Sequence, residues 1–190
     1  MTSSDYIGLS ILAIDKFIQD CGGRSKVKDK TAAQINKLIL RPLAKQYNAS
    51  YCELKIREQR KKNGPKMFSR ANVYIRYNPD DCFLDVVDSI QCYLQQKGLA
   101  GSYLWLDVFS LNYSLYSRSS LKVKWIFSTE LILSIGHTLV VTKMNHLFFL
   151  NTFLILWEIY SSTTSGFITD IIELADFDVN TCRGKIKCGL

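Results

Sequence analysis

At 190 residues the chain is the size of one domain, roughly 100–200 residues, and a 47% hydrophobic content excludes a disordered composition. The net charge of +7 is uneven: from Arg24 to Arg70 fourteen basic residues face three acidic ones, a net +11 that leaves −4 elsewhere. Six cysteines without a C-x-x-C pair, and two histidines (His137, His146) without zinc-spaced neighbours, argue against a metal site.

In chain order, residues 5–21 predict a helix, because Ile7, Ile11, Ile14, Ile18 and Cys21 recur at three- and four-residue steps. Gly22-Gly23 ends it. Thr31-Ala-Ala-Gln34 is a capping-box pattern that opens a second helix, with Ile35, Leu38, Ile39 and Leu43 on its apolar face. Pro42 predicts a kink or an early end. Residues 51–70 read as a charged connection, densest at Arg57, Arg60, Lys61, Lys62 and Lys66. Such a patch attracts nucleic acid or other anions. No aromatic residue is interleaved with it to stack on bases, so a solvated basic surface is the preferred reading.

From residue 72 the texture changes. Asn72–Tyr77 predicts a strand, Asn78-Pro-Asp-Asp81 a turn, and Phe83 to Gln96 a helix stopped at Lys97-Gly98. Tyr103–Phe109, broken only by Asp107, predicts a strand buried on both faces. Trp125–Ile135 predicts a helix ending at Gly136, and Thr138–Thr142 a buried strand. Leu147–Tyr160 predicts an apolar helix, and Gly166–Ile172 a last strand. The fold class is therefore α/β: an open, mostly parallel, flavodoxin-like sheet with helices on both faces, preceded by an N-terminal helical segment. The expected divisions are 1–50 (helical extension), 51–71 (basic connection), 72–175 (α/β domain) and 176–190 (tail). Leu147–Tyr160 is too short for a membrane span and contains Asn151 and Glu158. The polar start, Met1–Asp5, does not read as a secretory signal, so reduced thiols and a cytoplasmic location are expected.

In open α/β sheets ligands bind beyond the carboxyl ends of the strands. Residues 76–81, 107–114 and 143–146 are expected there, which makes Tyr77, Asp107, Asn112 and His146 the ligand-edge candidates. For Asp107 a hydrogen-bonded structural carboxylate is the preferred alternative. His137 reads as a hydrogen-bonded turn residue, and Trp105 and Trp157 as core.

Tyr103-Leu-Trp-Leu-Asp-Val-Phe109, Ser134-Ile-Gly-His-Thr-Leu-Val-Val141 and Leu156-Trp-Glu-Ile-Tyr160 together resemble a Toll/interleukin-1-receptor-like (TIR-like) α/β domain of the kind that precedes tetratricopeptide or kinesin-light-chain-like repeats. Gly22-Gly-Arg24, Thr31-Ala-Ala-Gln-Ile35 and Phe83-Leu-Asp-Val-Val-Asp88 fit the same pattern, so the resemblance runs from about Gly8 to Tyr160. It implies that Glu158 matches a glutamate that cleaves the nicotinamide–ribose bond of NAD, where a carboxylate stabilises the positive charge developing on the sugar. The chain departs from the family around that position. Leu154 and Ile155 replace a Trp-Cys pair, and Thr152 replaces an arginine. Arg76-Tyr-Asn-Pro79 replaces a Ser-His-Ala-Trp-like strand end, and Asn112-Tyr-Ser114 an Asn-Gln-His-like segment. What the resemblance implies is thus a degenerate interaction or signalling module without cofactor or metal, with a protein partner and a homo-oligomer among its expected states. NAD cleavage by Glu158, with NAD as substrate, is the first alternative. Anion or nucleic-acid binding through residues 24–70 is the second.

Overall fold

The computed structural model describes residues 6–61, 64–116, 120–142, 160 and 163–174. Six strands form one sheet in the order β2-β1-β4-β3-β5-β6. These are β1 (Ile7–Leu9), β2 (Phe68–Arg70), β3 (Val73–Tyr77), β4 (Leu104–Trp105), β5 (His137–Thr142) and β6 (Ile168–Glu173). β4, β3, β5 and β6 are mutually parallel, whereas β1 runs antiparallel to both its neighbours. The parallel strands thus lie second-first-third-fourth in chain order, the flavodoxin-type arrangement whose switch point falls beside the first strand. The expected open, mostly parallel α/β sheet is the observed one.

Side chains alternate across this sheet. Val73, Ile75 and Tyr77 face a large core with Leu104, Leu139 and Val141. Tyr74 and Trp105 face a smaller cluster on the other side, with Leu131 and Ile132. The large core is covered by α1 (Ile11–Asp20) and α6 (Phe83–Gln96), and the small one by α9 (Leu121–Ile135). Helices on both faces follow from the strand order. A right-handed crossover from β3 to β4 and one from β4 to β5 run in opposite directions along the sheet, so α6 and α9 fall on opposite faces.

The helices begin and end where local chemistry dictates. Ser10 caps α1 through a bond from the Ala13 amide, and Gly22 and Gly23, at φ of 96° and 88°, close it. The predicted helix over 5–21 therefore starts later, at Ile11. Ile7 and Leu9 instead fill a strand slot between β2 and β4, a tertiary gain that overrides their helical spacing. The Thr31 capping box is formed on both sides and opens α3 (Ala32–Ile35). Pro42 neither ends the helix nor leaves it regular. A π-helical turn, Asn36–Leu40, joins α3 to α4 (Arg41–Tyr47), and the Arg41 amide reaches back five residues to Asn36. That wider turn sits immediately before the proline, which has no N–H to donate.

The charged connection over 51–70 is structured. Ser50-Tyr-Cys-Glu53 makes a second capping box, which opens α5 (Tyr51–Gln59). β2 follows, and Gln59 joins the two: its amide oxygen accepts from the Met67 and Phe68 N–H groups and its amide nitrogen donates to the Phe68 carbonyl. The predicted strand over 103–109 is cut to Leu104–Trp105, because the chain turns into α7 (Asp107–Ser110), with Val108 and Phe109 buried against the large core. The expected α6, α9, β5 and β6 lie within a few residues of their predicted bounds. The predicted helix over 147–160 falls almost wholly outside the described residues. Among those described, no helix is long and apolar enough to cross a membrane, and Cys21, Cys52, Cys82 and Cys92 are free thiols.

β1 can occupy its slot only because Gly8 has no side chain. A Cβ there would lie 2.7 Å from the Leu104 carbonyl oxygen and 2.9 Å from the Ala71 Cβ. Gly8→Ala is expected to lower stability by about 1–3 kcal/mol through overpacking. The readout is the urea midpoint, and an unchanged midpoint would show that β1 does not depend on this close approach.

Candidate functional site

β3 and β4 end side by side, and the residues just beyond them meet. The Tyr77 hydroxyl, at the end of β3, donates to Asp107 Oδ1 at 2.5 Å. Tyr113, at the start of α8 (Tyr113–Tyr116), donates to Asp107 Oδ2 at 2.9 Å. The Val108 amide donates to Oδ1 at 2.7 Å, so Asp107 satisfies a free amide at the start of α7 while holding two phenols. The Arg41 guanidinium stands over the Tyr113 ring, 5.2 Å from its centroid. This joins α4 to the same edge.

Burial, and after it the Asp107 carboxylate, push both hydroxyls far above the ordinary tyrosine value of 10.0. They are committed donors, and Asp107 accepts three hydrogen bonds through its two oxygens. Beside it, Tyr74, Arg76, Trp105, Asp107, Tyr113 and Phe127 line a cavity of about 60 Å³. That holds a few waters, against the roughly 300–1,000 Å³ of a small-molecule pocket.

The structure thus brings two of the predicted edge residues, Tyr77 and Asp107, into direct contact. Asn112 sits one residue before Tyr113, and its carbonyl accepts from the Leu115 and Tyr116 amides at the start of α8. Glu158 and His146 lie outside the described residues, as does Lys62. Within the basic patch, Arg57 and Arg60 line one pocket, while Lys61 is exposed at the end of α5. Lys66 is exposed too, with its ammonium 6.0 Å from the centroid of the Tyr103 ring. Sequence reasoning missed Tyr113 and Arg41. The available signal was a tyrosine six residues after an aspartate that ends a buried apolar run.

His137 lies in β5 rather than in a turn, and it is hydrogen-bonded. Its Nε2 is 3.2 Å from both the Tyr93 hydroxyl and Asp170 Oδ2, and Tyr93 donates to that same oxygen at 2.5 Å. Lys97 stands 3.7 Å from the other oxygen of Asp170. These groups tie α6 to β5 and β6 at the opposite end of the sheet from Asp107.

No family model, curated protein or solved structure matches the chain.

Alkaline titration tests the geometry. Burial also pushes the Cys52 thiol up to about 12 from an ordinary 9.0. The unfolded chain releases these protons near 9 and 10 while the folded chain keeps them. Stability is thus fully present below about pH 9 and is lost as pH climbs toward the folded values. Tyr77→Phe and Tyr113→Phe are each expected to cost about 1.5–3 kcal/mol at pH 7, the range for a bond to a charged acceptor, and to flatten the alkaline decline. Urea midpoints between pH 7 and 11 give both numbers, and a variant as steep as the parent above pH 10 would refute the assignment.

Proposed function

We propose that this chain is a protein-interaction module of the TIR-like kind, which docks another protein and does not turn over a small molecule. The observation that carries the reading is the outer face of α9. Val123, Ile126 and Leu133 fall on one stripe with Glu130 and are 53%, 49% and 43% exposed. The opposite side of the same helix buries Leu131 and Ile132 against Tyr74 and Trp105. A surface helix normally turns its polar face to solvent, so exposed apolar residues in one stripe favour a surface that a partner covers.

Two further features support the reading. The strand order agrees with the flavodoxin-like sheet that the family resemblance implies. The carboxyl edge beside Asp107 is occupied by the protein's own hydrogen-bonded side chains around a cavity of about 60 Å³. Signalling by such a module works through association, and a second copy of the chain is the first partner available to it.

The test has two arms. In the first, purified protein and Glu158→Ala are assayed for NAD consumption, and neither is expected to turn NAD over. Turnover by the parent that disappears in the variant would replace this reading with a hydrolase. In the second, Ile126→Lys is expected to abolish concentration-dependent self-association in sedimentation velocity without lowering the melting temperature. Association that survives the substitution would remove α9 as the docking face.

A further inference from the structure

The basic segment and the first strand meet at a corner that the sequence separates by some fifty residues. Arg57 and Arg60 lie three residues apart, and so side by side, at the carboxyl end of α5, where Arg60 is the capping residue. Arg70 ends β2, paired in register with Ile7. Tyr6 directly precedes β1, with its carbonyl bonded to the Ala71 amide and its ring beneath the Arg70 guanidinium, 5.2 Å from the carbon to the centroid. These groups line a pocket of about 350 Å³ with Ile7, Ile56 and Glu53. Because β2 runs parallel to β4 and β3, Arg70 lies at the same end of the sheet as Tyr77, the end where α/β sheets bind ligands.

Positive charge prevails at this corner. Among the described residues, none of the three arginines pairs with a carboxylate. Glu53 is the one acidic group in the lining, and its carboxylate is engaged by the Ser50 amide at 2.7 Å. The carboxyl end of α5 adds roughly half a negative charge. Three guanidinium groups outweigh both. Each presents a planar fork of N–H donors suited to a phosphate. The apolar floor of Ile7 and Ile56 and the Tyr6 ring suit a flat, partly apolar group. The volume falls at the lower end of the range for small-ligand pockets.

We infer that this corner is a binding site for a single nucleotide, with Arg57, Arg60 and Arg70 holding its phosphate and Tyr6 flanking its base. Binding here involves no chemical step. The site is separate from the α9 face, so either can fail without the other.

Isothermal titration of the full chain tests this with adenosine 5′-monophosphate, adenosine, inorganic phosphate and a ten-residue oligothymidylate. The monophosphate is expected to saturate at one per chain, adenosine to give no binding, and inorganic phosphate to bind at least tenfold more weakly. Arg57→Ala and Arg70→Ala should each weaken the monophosphate at least tenfold with unchanged melting temperature. Lys66→Ala, outside the pocket, should leave it unaltered. Absence of binding by the monophosphate overturns the inference, and so do equal affinity for inorganic phosphate and indifference to the arginine substitutions. Binding of the oligonucleotide without the monophosphate overturns it as well, because a track of surface charge and not a pocket would then be at work. In that case affinity would fall steeply with salt, as expected where several phosphates are neutralised together.

Discussion

The ring of Phe17 is the contact on which the rest of the molecule depends. It meets Phe109 at 5.0 Å, Tyr51 at 5.4 Å and Phe83 at 6.2 Å, each close to edge-on. Those four rings come from α1, α5, α6 and α7, elements up to ninety residues apart. Edge-to-face pairs add about 0.5–1.5 kcal/mol each beyond the area they bury. Their larger effect here is architectural. The helices that precede β3 do not sit on a finished α/β unit as an appendage; they supply part of its core. β1 and β2 do the same within the sheet, since β1 lies between β2 and β4.

This arrangement explains which parts of the fold are legible in the sequence. α6 and α9 are long and end at glycines with positive φ, so composition and punctuation locate them. β5 holds the apolar run Leu139–Val141, and β6 is rich in β-branched residues, Ile168, Thr169, Ile171 and Ile172. β1 and β2 are three residues each, and Ile-Gly-Leu or Phe-Ser-Arg carries no period that marks a strand; only pairing with distant partners makes them so. α5 was legible in principle, because Ser50-Tyr-Cys-Glu53 has the same capping pattern as Thr31-Ala-Ala-Gln34. The charged residues around it mask the helix behind a polar texture. β4 shows the reverse error. Its apolar run continues through Leu106, Val108 and Phe109, but apolarity reports burial and not conformation, and the last of these residues are buried from a helical turn.

The site is legible to the same partial degree. Tyr77 and Asp107 were each placeable on the carboxyl edge by topology alone. That they bond to one another, and that Tyr113 completes the set, depends on the stagger of β3 against β4, which no local pattern encodes. The arginines show a similar limit. In the sequence they form a run without aromatic neighbours, whereas in the fold Tyr6 and Tyr103, far away along the chain, lie against Arg70 and Lys66. A charge run is read correctly only when its spatial neighbours are known.

The Gln59 side chain has a wider consequence. Phe68 directs its backbone groups away from β1, toward the outer edge of the sheet, because Met67, Ser69 and Ala71 alternate with it in pairing inward. By bonding both the N–H and the C=O of Phe68, Gln59 stands where another strand would, and it shields that edge from edge-to-edge aggregation. It also pins both ends of the segment 60–66. Loop closure costs rise only about 0.6 kcal/mol for each doubling of length. The chain can therefore accept a foreign insertion between Lys61 and Lys66 with little effect on the sheet.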